Sequence, residues 1–182
     1  MASTFFTIGH STRPIAEFVD LLRDANIESL VDVRSAPTSR KNPQFDGEDL
    51  SRTLASVQIG YEHIVELGGH RGKVKGTEPQ LNAYWRVQSF HNYADYALTA
   101  DFAAGFTRLL IRGRQRRCAI MCAEAVWWRC HRRIIADYLI AAGERVMHIL
   151  NASNIQEASL TAGAVVRGDR TIVYPVETQA LR

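Results

Sequence analysis

Between positions 122 and 132 the chain sets a thiol, a carboxylate, a second thiol, an imidazole and a guanidinium: Cys122, Glu124, Cys130, His131 and Arg132. Such groups serve as soft nucleophile, proton carrier, metal ligand and anion clamp. A core has no use for that mixture, because a buried polar group costs free energy unless it is paired. A reactive or ligand-binding pocket does. The apolar run Cys118-Ala119-Ile120-Met121 leads into the cluster like a buried strand. Cys122 would then stand at a strand exit, with a helix starting near Cys130. Unpaired backbone N–H groups and the helix dipole favour a thiolate or a bound anion at such a place. Cys122 is therefore the candidate nucleophile, and Cys118, inside the run, is expected to be inert packing.

Glu124 is the candidate general acid or base, with ion pairing to Arg34 or Arg132 as its structural alternative. His10 and His131 are the other proton-transfer candidates. Arg34, Arg132, Asp32, Ser11 and Arg71 form the expected substrate or anion side of the site. Cys122, Cys130 and His131 are ligand types that zinc accepts. Against zinc, only one adjacent pair is present, and neighbours on a helix point about 100° apart. The expectation is accordingly no metal and no cofactor. A Cys-loop-helix layout is the general design of sulfurtransferases and cysteine phosphatases, but six residues separate Cys122 from Arg129, one more than the phosphatases use.

These residues need a scaffold. Thr4 to Ile8 reads as a first strand ending at Gly9, and Ile15, Phe18, Val19 and Leu22 recur at helical spacing behind Pro14. Ile27 to Val33 and Tyr61 to Val65 are further strands, with a helix marked by Leu50, Leu54 and Val57 between them. Leu67 to Ser89 is irregular and carries a binding-loop composition in Gly68-Gly69-His70-Arg71-Gly72-Lys73. A helical pattern from Asp101 to Leu110 precedes the strand at Cys118, and Ile134 to Leu139 forms a helix closed by Gly143. Arg145 to Leu150 is the last clear strand, with Ala164 to Val166 and Thr171 to Tyr174 pairing as a hairpin. Alternating strands and helices predict an α/β fold with a mainly parallel, helix-flanked sheet. In such sheets ligands collect at the carboxyl ends of the strands. His10, Ser11, Asp32, Arg34, Cys122 and Glu124 all follow strands, so they are expected on one edge.

With 182 residues, 46% hydrophobic and 23% charged, the chain suits a single domain over 1–182. A net charge of +3 is too mild to argue for nucleic acid by itself. Three cysteines without framework spacing point to a reducing cytoplasm. The N-terminus lacks the basic and apolar regions of a signal peptide. No apolar stretch approaches the ~20 residues that cross a bilayer.

The motifs Thr7-Ile8-Gly9-His10-Ser11, Val31-Asp32-Val33-Arg34, Leu67-Gly68-Gly69, Tyr93-Ala94-Asp95-Tyr96, Met121-Cys122-Ala123-Glu124, Cys130-His131-Arg132 and His148-Ile149 stand in this order. In them the chain resembles a bacterial and archaeal family, domain of unknown function 488. Pro37 with Ser39-Arg40 belongs to the same pattern, which spans roughly residues 4 to 150. His70 departs from it, since similar proteins often carry a basic residue after Leu-Gly-Gly. The resemblance implies a compact α/β domain and names no reaction. The first functional expectation is an enzyme on a small anionic or nucleotide-like ligand, with nucleic acid as a further candidate and no membrane partner. The competing readings are a nucleotide or nucleic-acid binding module without turnover, and a structural metal protein using Cys122, Cys130 and His131. The sequence carries no signal for oligomeric state.

Overall fold

The computed structural model describes residues 1–176, so the end of the C-terminal extension, 177–182, lies outside the described residues. Its centre is a six-stranded sheet with β1 (Thr4–Gly9) in the middle. On one side of β1 run β4 (Cys118–Cys122), β2 (Ser29–Asp32) and β3 (Gly60–His63); on the other run β5 (Arg145–Asn151) and β6 (Asn154–Glu157). The first five are mutually parallel, and β6 is antiparallel to β5. β1, β2 and β4 are almost wholly buried. That explains their near-continuous apolar sequences: a parallel strand covered on both faces has no solvent side to mark with polar residues.

Helices α1 (Ile15–Asp24) and α2 (Gly47–Ser56) cover one face, through a core of Phe18, Leu22, Leu50 and Leu54 against Phe6, Leu30 and Met121. On the other face, α3 (Gln88–Tyr96), α4 (Ala100–Gln115) and α5 (Arg132–Ala141) pack on Phe5, Val31, Ile120 and Val146. Each fully buried Phe or Leu in these layers contributes about 1.5–3 kcal/mol relative to exposure. Period-two alternation along β4 puts Cys118 and Ile120 with the second core and Ala119 and Met121 with the first. Cys122 therefore leaves the sheet on the α5 side.

From β1 the chain crosses through α1 to β2 and then moves outward to β3; it returns to β4 and crosses through α5, on the opposite face, to β5. The two crossovers leave on opposite faces, while the β1–β4 pairing continues past the strand ends, His10 N–H donating to the Cys122 carbonyl and Ser11 N–H to the Ala123 carbonyl. Gly9 is needed at this junction because a Cβ there would lie 1.9 Å from the Glu124 carbonyl oxygen.

The extension after Asn151 is more ordered than its sequence suggested. The expected hairpin is present as β7 (Val165–Val166) and β8 (Ile172–Val173). β6 was not expected: all four of its residues are exposed, so ladder hydrogen bonds to β5 define it without any apolar pattern. Tyr174 ties the extension down, its hydroxyl donating to Asp137 at 2.8 Å. Among the described residues no helix is long and apolar enough to cross a membrane.

Candidate functional site

A cleft of about 480 Å³ opens beyond the carboxyl ends of β2 and β4, with Arg34, Cys122, Glu124, Arg129, Cys130 and His131 among its lining. Cys122 arrives from the end of β4. Cys130 and His131 arrive after the 3-10 turn Trp127–Arg129, just ahead of α5. The helix starts only at Arg132; Cys130 is extended (φ −128°, ψ 147°), and His131 makes the turn into the helix (φ −58°, ψ −15°). The divergence expected of helical neighbours therefore does not apply to them. Both side chains reach the same point. His131 Nδ1 lies 3.6 Å from Cys130 Sγ and 4.0 Å from Cys122 Sγ, and all three atoms lie within 4.8 Å of one another.

The imidazole is held from behind. His131 Nε2 is 2.8 Å from the Val33 carbonyl oxygen, which can only accept, so Nε2 carries a proton and Nδ1 faces the two sulfurs. The Tyr93 ring packs edge-on against the same imidazole, with centroids 4.9 Å apart. Gly69 completes the fit: a Cβ there would sit 2.5 Å from His131 Nδ1. The loop glycines read from sequence as flexibility thus include one that is needed for space.

Arg132 is fully buried beneath this centre. Its Nη2 donates to the Glu124 carbonyl at 2.6 Å and its Nε to Cys130 Sγ at 3.3 Å. No carboxylate pairs with it among the described residues, so a Cys130 thiolate is its natural counter-charge. The two thiols are shifted in opposite directions. Donation from Cys122 to Cys130, then burial, raises Cys122 well above the usual thiol range. Burial opposes a Cys130 thiolate, but the hydrogen bond from Cys122, then the His131 imidazole and the Arg132 charge, hold it well below that range. Negative charge thus collects on Cys130, where the sequence pointed to Cys122. Cys118 is buried in β4, its thiol pushed up to about 12 chiefly by burial.

A second network occupies the neighbouring part of the strand edge. Asp32 receives Arg34 Nε at 2.9 Å, Arg34 Nη2 at 2.6 Å and the Tyr61 hydroxyl at 2.7 Å, while Arg34 Nη2 also reaches the Phe45 carbonyl at 2.8 Å. Burial and then the Asp32 carboxylate raise the Tyr61 phenol above its ordinary range. His10 stacks on Phe45, with centroids 4.3 Å apart, and bonds the Ser11 carbonyl through Nδ1 at 2.8 Å. Burial, and secondarily Arg34, lowers its pKa.

Of the residues singled out from sequence, Cys122, Glu124, His131 and Arg34 line the cleft. His10 and Ser11 line a separate depression that shares Ala123 and Glu124 with it. Asp32 and Arg132 lie in the interior. Arg71 donates to the Gly68 and Val65 carbonyls and covers the Tyr96 ring at 3.8 Å, which makes it a clasp on its own turn. The three arginines expected to clamp an anion thus direct donors at protein acceptors. Arg129 is different: it is exposed, lines the cleft and has no side-chain partner among the described residues. In the sequence Arg129 served only to mark the spacing from Cys122, and its free side chain at the cleft is visible only in the fold. His70 and Phe90, also in the lining, carried no signal beyond a loop and an aromatic helix face.

Neither a curated protein nor a solved structure matches the chain. The family described as Domain of unknown function DUF488 matches over residues 14–139, which takes in α1 through most of α5 and every wall of the cleft. With well over half of its length matched, and with the dithiol and imidazole inside the matched region, the chain belongs to the DUF488 family.

Proposed function

We propose that this DUF488 protein is an enzyme that takes a small anionic, nucleotide-like molecule into the cleft and acts on it with the Cys122–Cys130–His131 centre, Glu124 carrying the proton. One observation carries the reading. Two chain segments bring two sulfurs and an imidazole nitrogen to one point on the wall of an open cleft, and a hydrogen bond from the other ring nitrogen to Val33 fixes the imidazole. A pocket of about 480 Å³ suits a small molecule. Arg129 supplies the uncommitted positive charge at its rim, and Phe90 an aromatic surface. Glu124 is exposed in the lining while its carbonyl is anchored by Arg132, so its carboxylate is positioned without being consumed.

The test combines binding and protection. Calorimetric titration with phosphate and nucleoside monophosphates is expected to show saturable binding that Arg129→Ala weakens by about fivefold, the loss of one exposed charge contact of roughly 1 kcal/mol. Arg114→Ala, whose native side chain pairs with Glu144 at 2.7 Å, should leave binding unchanged. Alkylation with peptide mapping should label Cys122 faster than Cys118, and the bound ligand should protect it. Equal effects of the two arginine variants, together with no protection of Cys122, would remove the cleft as the working site.

A further inference from the structure

We propose that Cys122, Cys130 and His131 are the three protein ligands of a zinc ion whose fourth position opens into the cleft and holds the water that the enzyme uses. This deepens the function proposed above and rests on it only in taking the cleft as the working site.

The geometry is close to that of a formed site. With Zn–S near 2.3 Å and Zn–N near 2.0–2.1 Å, a tetrahedral ion separates its ligand atoms by about 3.5–3.8 Å. Here Cys130 Sγ and His131 Nδ1 are 3.6 Å apart, Cys122 Sγ and His131 Nδ1 are 4.0 Å apart, and no pair exceeds 4.8 Å. Closing the remainder takes a rotamer adjustment at Cys122, which like His131 is partly exposed. Two features independent of those distances point the same way. The Nε2–H to Val33 carbonyl bond is the outer contact that metal-bound histidines usually make, and it leaves Nδ1 free to ligate. The buried Arg132, without a carboxylate partner, donates to Cys130 Sγ as an arginine does to a metal-bound thiolate.

Three ligands and an open face distinguish this arrangement from a closed structural site. Glu124 lines the same cleft but is not among the converging groups. A zinc bound by two thiolates and an imidazole, beside a non-ligating glutamate, is the equipment of hydrolytic deamination at a nucleobase. The step balances without a redox partner. Water gives one proton to the Glu124 carboxylate, and its oxygen bonds to an electrophilic carbon. The bond from that carbon to a leaving nitrogen or oxygen then breaks, and the leaving atom takes the proton back from Glu124.

The experiment uses the full chain purified under reductant without added metal. Elemental analysis is expected to find about one zinc per chain. After chelation, cobalt(II) should bind saturably and produce both thiolate-to-cobalt charge-transfer bands and tetrahedral d–d bands. Cys122→Ser and His131→Asn should each weaken zinc binding by about tenfold or more, whereas Cys118→Ala and Glu124→Gln should retain it. If the ligand variants do not fold, the cobalt spectrum of the unaltered chain decides the matter alone. No cobalt bands after full reduction, or bands unaffected in a folded Cys122→Ser protein, would overturn the zinc site. A native Cys122–Cys130 disulfide whose reduction gives no cobalt site would do the same. Nucleoside monophosphate binding that persists in the metal-free chain would then leave the cleft standing as the working site. Zinc held without any ligand protection of Cys122 would instead uphold the metal site and remove the cleft.

Discussion

Two groups of chemically capable residues share the carboxyl edge of the sheet, and Arg34 of the first also lines the cleft that holds the second. On one side Asp32, Arg34, Tyr61 and His10 form a network in which the carboxylate is surrounded by donors from the protein. On the other side Cys122, Cys130 and His131 turn two sulfurs and an imidazole nitrogen toward one another on the wall of an open cleft. By residue type the first group is the richer, with a carboxylate, a guanidinium, a phenol and an imidazole. Yet its hydrogen-bonding capacity is largely spent on holding the ends of β2 and β3 and the segment around Phe45 together. What separates a support from a site here is unsatisfied valence, and the difference can be tested at each of them.

The largest effect is expected in the closed network. Asp32→Ala leaves the Arg34 guanidinium buried without its counter-charge and should cost about 3–5 kcal/mol. For a chain of this length that corresponds to a fall in Tm of roughly 6–20 °C. Thermal and urea unfolding measure it directly; a loss below about 1 kcal/mol would mean that the network is not a structural support.

A somewhat smaller effect is expected behind the open site. His148 accepts or donates at Thr7 Oγ1, 2.7 Å away, and Trp127 lies flat on its ring, with centroids 4.5 Å apart. Burial, followed by the Arg132 charge, pushes its pKa down to about 4, so it is neutral in the fold. An unfolded histidine titrates near 6.5, so between these values the unfolded chain binds more protons than the native one. This contribution to stability is complete above pH 6.5 and is lost as pH falls through the window, up to about 3 kcal/mol. Urea midpoints from pH 7 to 4 should show that slope, and His148→Asn should flatten it. An unchanged slope would assign the acid sensitivity to other groups.

The smallest stability effect carries the largest functional one. Gly69→Ala drives a methyl into His131 Nδ1. Such overpacking costs about 1–3 kcal/mol, but the imidazole must leave its bond to Val33 to make room. The variant is expected to fold and to lose cobalt binding. If it retains both fold and cobalt spectrum, the position of the imidazole is less constrained than the contrast between the two groups requires.

Much of the scaffold was legible in the residues. The apolar runs at β1, β2, β4 and β5 and the helical spacing of Ile15, Phe18, Val19 and Leu22 report burial, and burial follows from side-chain type. The common facing of Cys118 and Cys122 followed from alternation along one strand. β6 was not legible, because an exposed edge strand is made by backbone bonds to β5 that leave no mark on its side chains. The site was legible as a gathering of residue types and not as an arrangement. Cys130 and His131 looked divergent because the helix was expected to begin at them; two residues of start position decided whether their side chains separate or converge.

From the sequence alone come the α/β alternation, the edge on which strand-following residues gather, the buried place of Cys118 and the inclusion of Cys122, Glu124 and His131 among the candidates. These depend on periodicity and residue chemistry, which are local. Only the tertiary structure decided which of those groups remain free. Val33, far from His131 in the chain, fixes its tautomer; Asp32 and the Phe45 carbonyl take up Arg34, Glu124 and Cys130 take up Arg132, and Arg129 is left for the cleft. A donor or lone pair can be spent once, and the partner that spends it is chosen by proximity in space, which the linear order of residues does not contain.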